Sequence, residues 1–332
     1  MSLDQLRIFV GFLARQGYQV FNPQPSQKRE GVFLIKKIKP EVLLLNNQIP
    51  FYGWKKFFLP HHEKLLNLSQ DKAHSQNTLS VKLNRKKALL GINLIDLKAV
   101  ALYDAVFESD FNYQNRRQNL LIIGHNLMPE AKGNIFEEQY KIEALSSLRF
   151  DIFLAQKTDN NWQVFTGSPL GAKLLQDFKG IDFKRIQFNG LNKQDSASEQ
   201  WLAVSEKLKN DFNQQLWQDL GERCLECSKC SFVCPTCFCF GCSDMVKITF
   251  RGFAVSRCRQ WDSCFNDDFS EVAGGHKFLD TIAKRVHFWY YHKFVRIFEQ
   301  YSMPGCVGCG RCTEVCPANI NLKDNIIRIL NG

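Results

Sequence analysis

Apolar residues at Leu6, Phe9, Val10, Leu13 and Tyr18 recur largely at three- and four-residue steps, the period of a helix buried along one side, and Gly17 marks its expected end. After it the pattern shortens. Residues 31–35, 42–45, 88–92 and 120–123 are brief apolar runs and predict strands. Residues 151–154 and 162–165 flank a turn-rich stretch, 158–161, and predict a hairpin. Helical and extended signals alternate in this way through the first half of the chain, which reads as a mixed α/β domain.

From about residue 180 the chain becomes polar, and Ser196 with Glu199 then forms a Ser-x-x-Glu capping box. Trp201, Val204, Leu208, Phe212, Leu216 and Leu220 follow at helical spacing, with Gly221 where a helix should stop. Residues 278–301, rich in aromatic and basic side chains from Arg285 and His287 through Trp289, Tyr290, Tyr291, His292 and Lys293, predict another long helix. The expected fold class is therefore α+β: a mixed α/β docking domain over 1–195, then a mainly helical domain over 196–332.

Composition narrows the setting. An apolar content of 45% with 28 phenylalanines is ample for a packed core. No stretch approaches the roughly 18 uninterrupted apolar residues of a membrane span, and the first residues lack a signal-peptide core. A cytoplasmic location is expected. The net charge of +10 is scattered; Arg85, Lys86, Lys87 and Arg116, Arg117 are short clusters with no helix-turn-helix, zinc-finger or RNP signature beside them. A solvated basic face or a docking face for an acidic partner fits better than nucleic acid.

The cysteines carry the chemistry. All 13 lie between Cys224 and Cys316, which fits metal ligation in a reducing compartment and not a disulfide framework. CLECSKCSFVCP places Cys224, Cys227, Cys230 and Cys234 before Pro235, and CVGCGRCTEVCP places Cys306, Cys309, Cys312 and Cys316 before Pro317. This is the bacterial ferredoxin run, twice; in it the fourth cysteine ligates the other cluster. One [4Fe-4S] cluster is thus expected on Cys224, Cys227, Cys230 and Cys316, and a second on Cys306, Cys309, Cys312 and Cys234. The competing reading is a pair of structural zinc knots in a basic interaction or nucleic-acid-binding protein, since four thiolates also suit zinc. Such sites are usually built from separated CxxC pairs, whereas a thiolate triplet at i, i+3, i+6 suits the corner of a cube. The domain over 196–332 is accordingly read as an expanded, two-cluster ferredoxin-like domain.

The runs are separated by a 71-residue insert, 235–305, far longer than a small ferredoxin needs. It contains Cys237, Cys239, Cys242, Cys258 and Cys264. The number of thiols admits a third cluster on Cys237, Cys239 and Cys264, although buried free cysteine is commonly a small hydrophobe. Gly305, Gly308 and Gly310 line the second run, where Leu225, Glu226, Ser228 and Lys229 fill the gaps of the first. Backbone N–H groups brought close to sulfur raise a cluster's potential, so the glycine-lined cluster is expected to be the higher of the two.

CPTCFCF, RQWDSCF, VAGGH and CVGCGRC, in this order around two ferredoxin runs, closely resemble the beta subunit of sulfhydrogenases, the cytosolic nickel-iron hydrogenases; the A subunit of anaerobic sulfite reductase shares the plan. Weaker likeness extends upstream through FFLPHHE, GINLID, DFNYQNRR, LIIG and FDIFL. The resemblance implies an electron conduit without catalytic residues of its own, between a flavin-containing, NAD(P)H-oxidising, ferredoxin-reductase-like subunit and the hydrogenase or sulfite reductase subunits. It makes the eight ferredoxin-run cysteines the ligands and matches Cys237, Cys239 and Cys264 to family positions. Relatives carry cysteines in the N-terminal half where this chain has Ile95 and a cysteine-free segment, 125–139, so a site there cannot be built from thiolates.

Overall fold

Helix α1 (Leu3–Arg15) starts where Ser2 can cap it: the Ser2 hydroxyl accepts from Gln5 N, and the Gln5 side chain accepts from Ser2 N. The computed structural model describes residues 1–69, 85–127, 134–136, 142–158, 161–190, 197–210, 214–250 and 252–331. After α1 come β1 (Gln19–Pro25), β2 (Phe33–Lys37), the short α2 (Lys55–Phe58), β3 (His62–Ser69) and β4 (Lys87–Asn93). Helices α3 (Leu94–Val106) and α4 (Phe111–Arg117) lead to β5 (Leu120–His125), β6 (Ile152–Thr158), β7 (Asn161–Thr166), α5 (Pro169–Phe178) and β8 (Phe183–Arg185). The seven-stranded sheet runs β2-β1-β4-β5-β6-β7-β8, and its central pairs, β1–β4, β4–β5 and β5–β6, are parallel.

Parallel strands are covered on both faces, so their residues are buried almost without alternation. Ala88, Leu90, Leu121, Ile123, Ile152 and Leu154 pack with Leu6, Phe9, Val10 and Leu13 of α1 and with Leu174 and Leu175 of α5. Leu89, Ile92, Leu120, Ile122 and Phe153 belong to the other core, with Leu97, Val100 and Tyr103 of α3 and Tyr113 of α4. A register shift between Leu90 and Ile92 puts Leu89 and Ile92 in one core; Gly91, at φ +96°, takes the bulge. Asn22 Nδ2 donates to the freed Leu90 carbonyl at 3.0 Å.

The second half begins with α6 (Glu199–Lys209) and α7 (Gln214–Arg223), then α8 (Lys229–Val233), the hairpin β9 (Phe240–Thr249) and β10 (Gly252–Trp261), and α9 (Ile282–Tyr291). A π-helical stretch, His292–Arg296, joins α9 to α10 (Ile297–Tyr301); α11 (Arg311–Val315) and α12 (Leu322–Asn331) close the chain. Trp201, Leu220, Val286, Trp289, Phe294 and Ile326 form the centre of its core, with Cys264 and Cys306.

Several expectations change. The Ser196 cap lies outside the described residues; Ser198 caps α6, accepting from Trp201 N at 3.2 Å. Gly221 does not stop a helix: α7 continues to Arg223, and a Cβ at Gly221 would lie 2.9 Å from Ala283 N, so the missing side chain lets α7 meet α9. Residues 42–45 form no strand, because Leu44 pairs through both backbone groups with the Asn22 side chain instead of a neighbouring strand. The insert is not mainly helical, since β9 and β10 form a long hairpin. β10 also pairs with β3, so this small sheet, β3-β10-β9, draws on both halves of the chain.

Candidate iron-sulfur sites

The two cysteine runs fold alike. In each, the residue two places after the first cysteine and the residue two places further on have positive φ: Glu226 (50°) and Ser228 (59°) in one, Gly308 (67°) and Gly310 (73°) in the other. Glycine adopts this conformation freely, whereas other residues are strained by about 1–2 kcal/mol each. In the first run side-chain bonds hold it. Arg285 Nε donates to Glu226 Oε1 at 2.6 Å, and Ser228 Oγ donates to Asn266 Oδ1 at 2.9 Å. Each turn feeds a short helix, and α8 and α11 pack against each other. Cys234 and Cys316 follow these helices in extended backbone (φ −66°, ψ 124° and φ −72°, ψ 115°), which carries each away from its own triplet.

One cavity is lined by Cys224, Cys227, Cys230, Cys312 and Cys316, with Phe265, Val286, Trp289, Tyr290, Ile320 and Leu322 as an apolar wall. Cys316 thus faces the first triplet. Cys234 lies within electrostatic reach of all of Cys306, Cys309 and Cys312, and of Cys230 alone in its own triplet. Burial pushes the Cys230 and Cys306 thiols up to about 12, and Cys312 well above the ordinary thiol range. Cys234 goes the other way, accepting from Cys237 and lying 3.2 Å from Lys293 Nζ. Among the described residues no three His, Cys, Asp or Glu side chains converge as one shared metal ion requires. Thiols spread around an apolar cavity, as at the first group, suit an iron-sulfur cube better than zinc.

Of the additional thiols, Cys237 bonds to Cys234, Cys239 lies near Lys293, Lys55 and Asp262, and Cys264 lies near Cys239 and Cys230. The structure brings this trio to the edge of both groups. Cys242 and Cys258 stand apart on the β9–β10 hairpin, paired in register with Arg259 and Ser243.

Besides Arg285, the buried cations Arg311, Lys55 and Lys293 lie among the cysteines, and the cysteine spacing gave no sign of them. Arg311 binds Asp96 with two bonds of 2.7 and 2.8 Å and donates from Nε to Pro50 O at 2.8 Å. Lys55 Nζ donates to Ser231 O at 3.3 Å and lies 4.1 Å from the Trp261 ring centroid. Lys293 reaches Cys234, Thr236 and Gly305. A signal for Lys293 did exist: it follows Val286, Trp289 and Tyr290 at helical spacing, a lysine on an otherwise apolar face.

Among the described residues no helix is long and apolar enough to cross a membrane. A family model for the 4Fe-4S dicluster domain matches residues 223–320. The chain is 31% identical over 292 residues to sulfhydrogenase 2 subunit beta of Pyrococcus furiosus, an alignment covering 80% of this chain and 79% of that protein. No solved structure matches it.

Proposed function

The chain belongs to the sulfhydrogenase beta-subunit family, and from that premise we propose that it relays electrons between a flavin-containing, NAD(P)H-oxidising subunit and the catalytic subunits of a cytosolic nickel-iron hydrogenase. Cys224, Cys227, Cys230 and Cys316 would hold one [4Fe-4S] cluster, and Cys306, Cys309, Cys312 and Cys234 the other. When bound, each cluster supplies a one-electron couple. The observation that carries this reading is Cys316 in the cavity of the first triplet.

The surrounding residues fit such a relay. Trp289, Tyr290 and Phe265 exclude water from the first group, and Cys227 and Leu225, the latter 65% exposed, bring that group to the surface where a partner can approach. Cys312 lines the first cavity and neighbours Cys306, Cys309, Cys234 and Cys230, so it stands between the two groups. The Asp96–Arg311 pair ties α11 to α3 and so holds the second group on the N-terminal half.

Anaerobic purification from the native host tests this reading. The protein should be brown, carry about eight irons and bleach on reduction, and should copurify with a nickel-iron subunit. Twelve irons would add a third cluster at Cys237, Cys239 and Cys264. Zinc without visible absorbance would refute the relay, and a siroheme-containing partner would assign it to a sulfite reductase instead.

A further inference from the structure

Lys293 is 2% exposed and lies in the π-helical stretch His292–Arg296, a conformation frequent at functional sites. Its Nζ stands 3.2 Å from Cys234 Sγ, 3.3 Å from Thr236 Oγ1 and 3.4 Å from Gly305 O. The Thr236 hydroxyl is within 2.7 Å of the Gly305 carbonyl, to which it donates, leaving its lone pairs for the lysine. Three acceptors match an ammonium, which has three donors and no lone pair. A Cβ at Gly305 would lie 2.4 Å from Lys293 O, so the glycine permits this close approach.

No carboxylate among the described residues pairs with Lys293, and a buried charge without a counter-charge is costly. Its compensation falls to the thiolates. Around the first group the cation is already neutralised, since Arg285 pairs with Glu226 and Asp267. Arg311, beside Cys309, is likewise neutralised by Asp96. Lys55 also lacks a carboxylate partner among the described residues, but it donates to Ser231 O and its thiol neighbours are Cys234, Cys237 and Cys239. The uncompensated positive charge therefore lies on the Cys234 side, and of the two lysines Lys293 is the one that touches the sulfur of Cys234.

We propose that Lys293 is a positioning residue that makes the cluster on Cys306, Cys309, Cys312 and Cys234 the higher-potential, electron-holding member of the pair. This rests on the ligand assignment above. One electron added to that site, without a proton, increases the negative charge near Nζ, and their attraction in a dry interior favours the reduced state.

The test is an anaerobic, dithionite-poised redox titration followed by electron paramagnetic resonance on the complete protein, comparing wild type with Lys293→Met, Lys293→Gln and Lys293→Arg, and with iron counted in each. In the Met or Gln variant the reduced-to-oxidised ratio of the second cluster at fixed potential should fall at least tenfold, about 59 mV for one electron. The first cluster should shift by less than threefold, and Arg should restore most of the wild-type ratio. Retained iron with an unmoved second couple, or equal shifts of both couples, would overturn the role of Lys293 while leaving the two-cluster reading intact. If Met disrupts loading, the polar, uncharged Gln variant gives the same decision. Absence of cubes from wild type would instead overturn the ligand assignment.

Discussion

Asp96 and His125 show how much single buried side chains hold in this protein. Asp96 is 2% exposed and gives both carboxylate oxygens to Arg311, 215 positions away. Asp96→Asn would leave the guanidinium buried without its counter-charge, and breaking such a pair costs about 3–5 kcal/mol. Anaerobic denaturant unfolding should register that loss. His125 is buried as a neutral ring: Nδ1 accepts from Leu127 N at 3.1 Å and the other nitrogen donates to the Gly91 carbonyl. Burial, the largest cause, lowers its pKa from 6.5 to about 4. Between those values the unfolded chain binds the extra proton, so the stability contributed is complete above about pH 6.5 and is lost as pH falls toward 4, in total about 3 kcal/mol. Urea midpoints between pH 7.5 and 5 should fall more steeply for wild type than for His125→Gln. The eight ferredoxin-run cysteines were legible because their spacing is local. The pairing of Asp96 with Arg311 was not, since a contact across 215 positions leaves no periodic trace.

At the scale of elements, the turns that present the thiols are set by left-handed residues, and the two runs reach the same geometry with different chemistry. Gly308 has no alternative: φ is +67°, and a Cβ would lie 2.6 Å from Phe136 Cδ2. Gly308→Ala should therefore lower iron content toward half, with the first cluster retained, as read by iron analysis and electron paramagnetic resonance. Glu226 and Ser228 occupy the equivalent places through side-chain bonds, so Arg285→Met should weaken the first run and leave the second loaded. The α/β half was readable because parallel strands buried on both faces give continuous apolar runs. The β9–β10 hairpin was not. Its turn around Phe250 lacks the Asn-Gly or Asp-Gly signal, and β3, with which it also pairs, lies about 190 residues upstream in sequence. The fate of residues 42–45 was equally hidden, because a side-chain amide from Asn22 took the place of a strand.

At the scale of the whole molecule, the halves share buried structure. Arg259 of β10 bonds Glu63 of β3 at 2.7 Å and Asp110 beside α4 at 2.6 Å, and Arg116 of α4 also pairs with Glu63. Lys55 of α2 reaches Ser231 of α8. Cluster loading should therefore stabilise more than the cysteine loops. Thiols must lose protons to become ligands, so assembly releases protons, and its binding free energy adds to folding free energy. Anaerobic iron removal by a chelator should lower the unfolding temperature of the α/β half together with that of the cysteine-bearing half, followed by limited proteolysis with fragment mapping.

Paired cysteine replacements interrogate the shared ligation of the two runs most directly. In Cys224→Ala/Cys316→Ala both changes fall on one cube if Cys316 is lent to the first triplet. Electron paramagnetic resonance of the anaerobic, reduced protein should then find one cube gone and the other with its wild-type signal. Two altered cubes, each missing a single thiolate, would contradict the account.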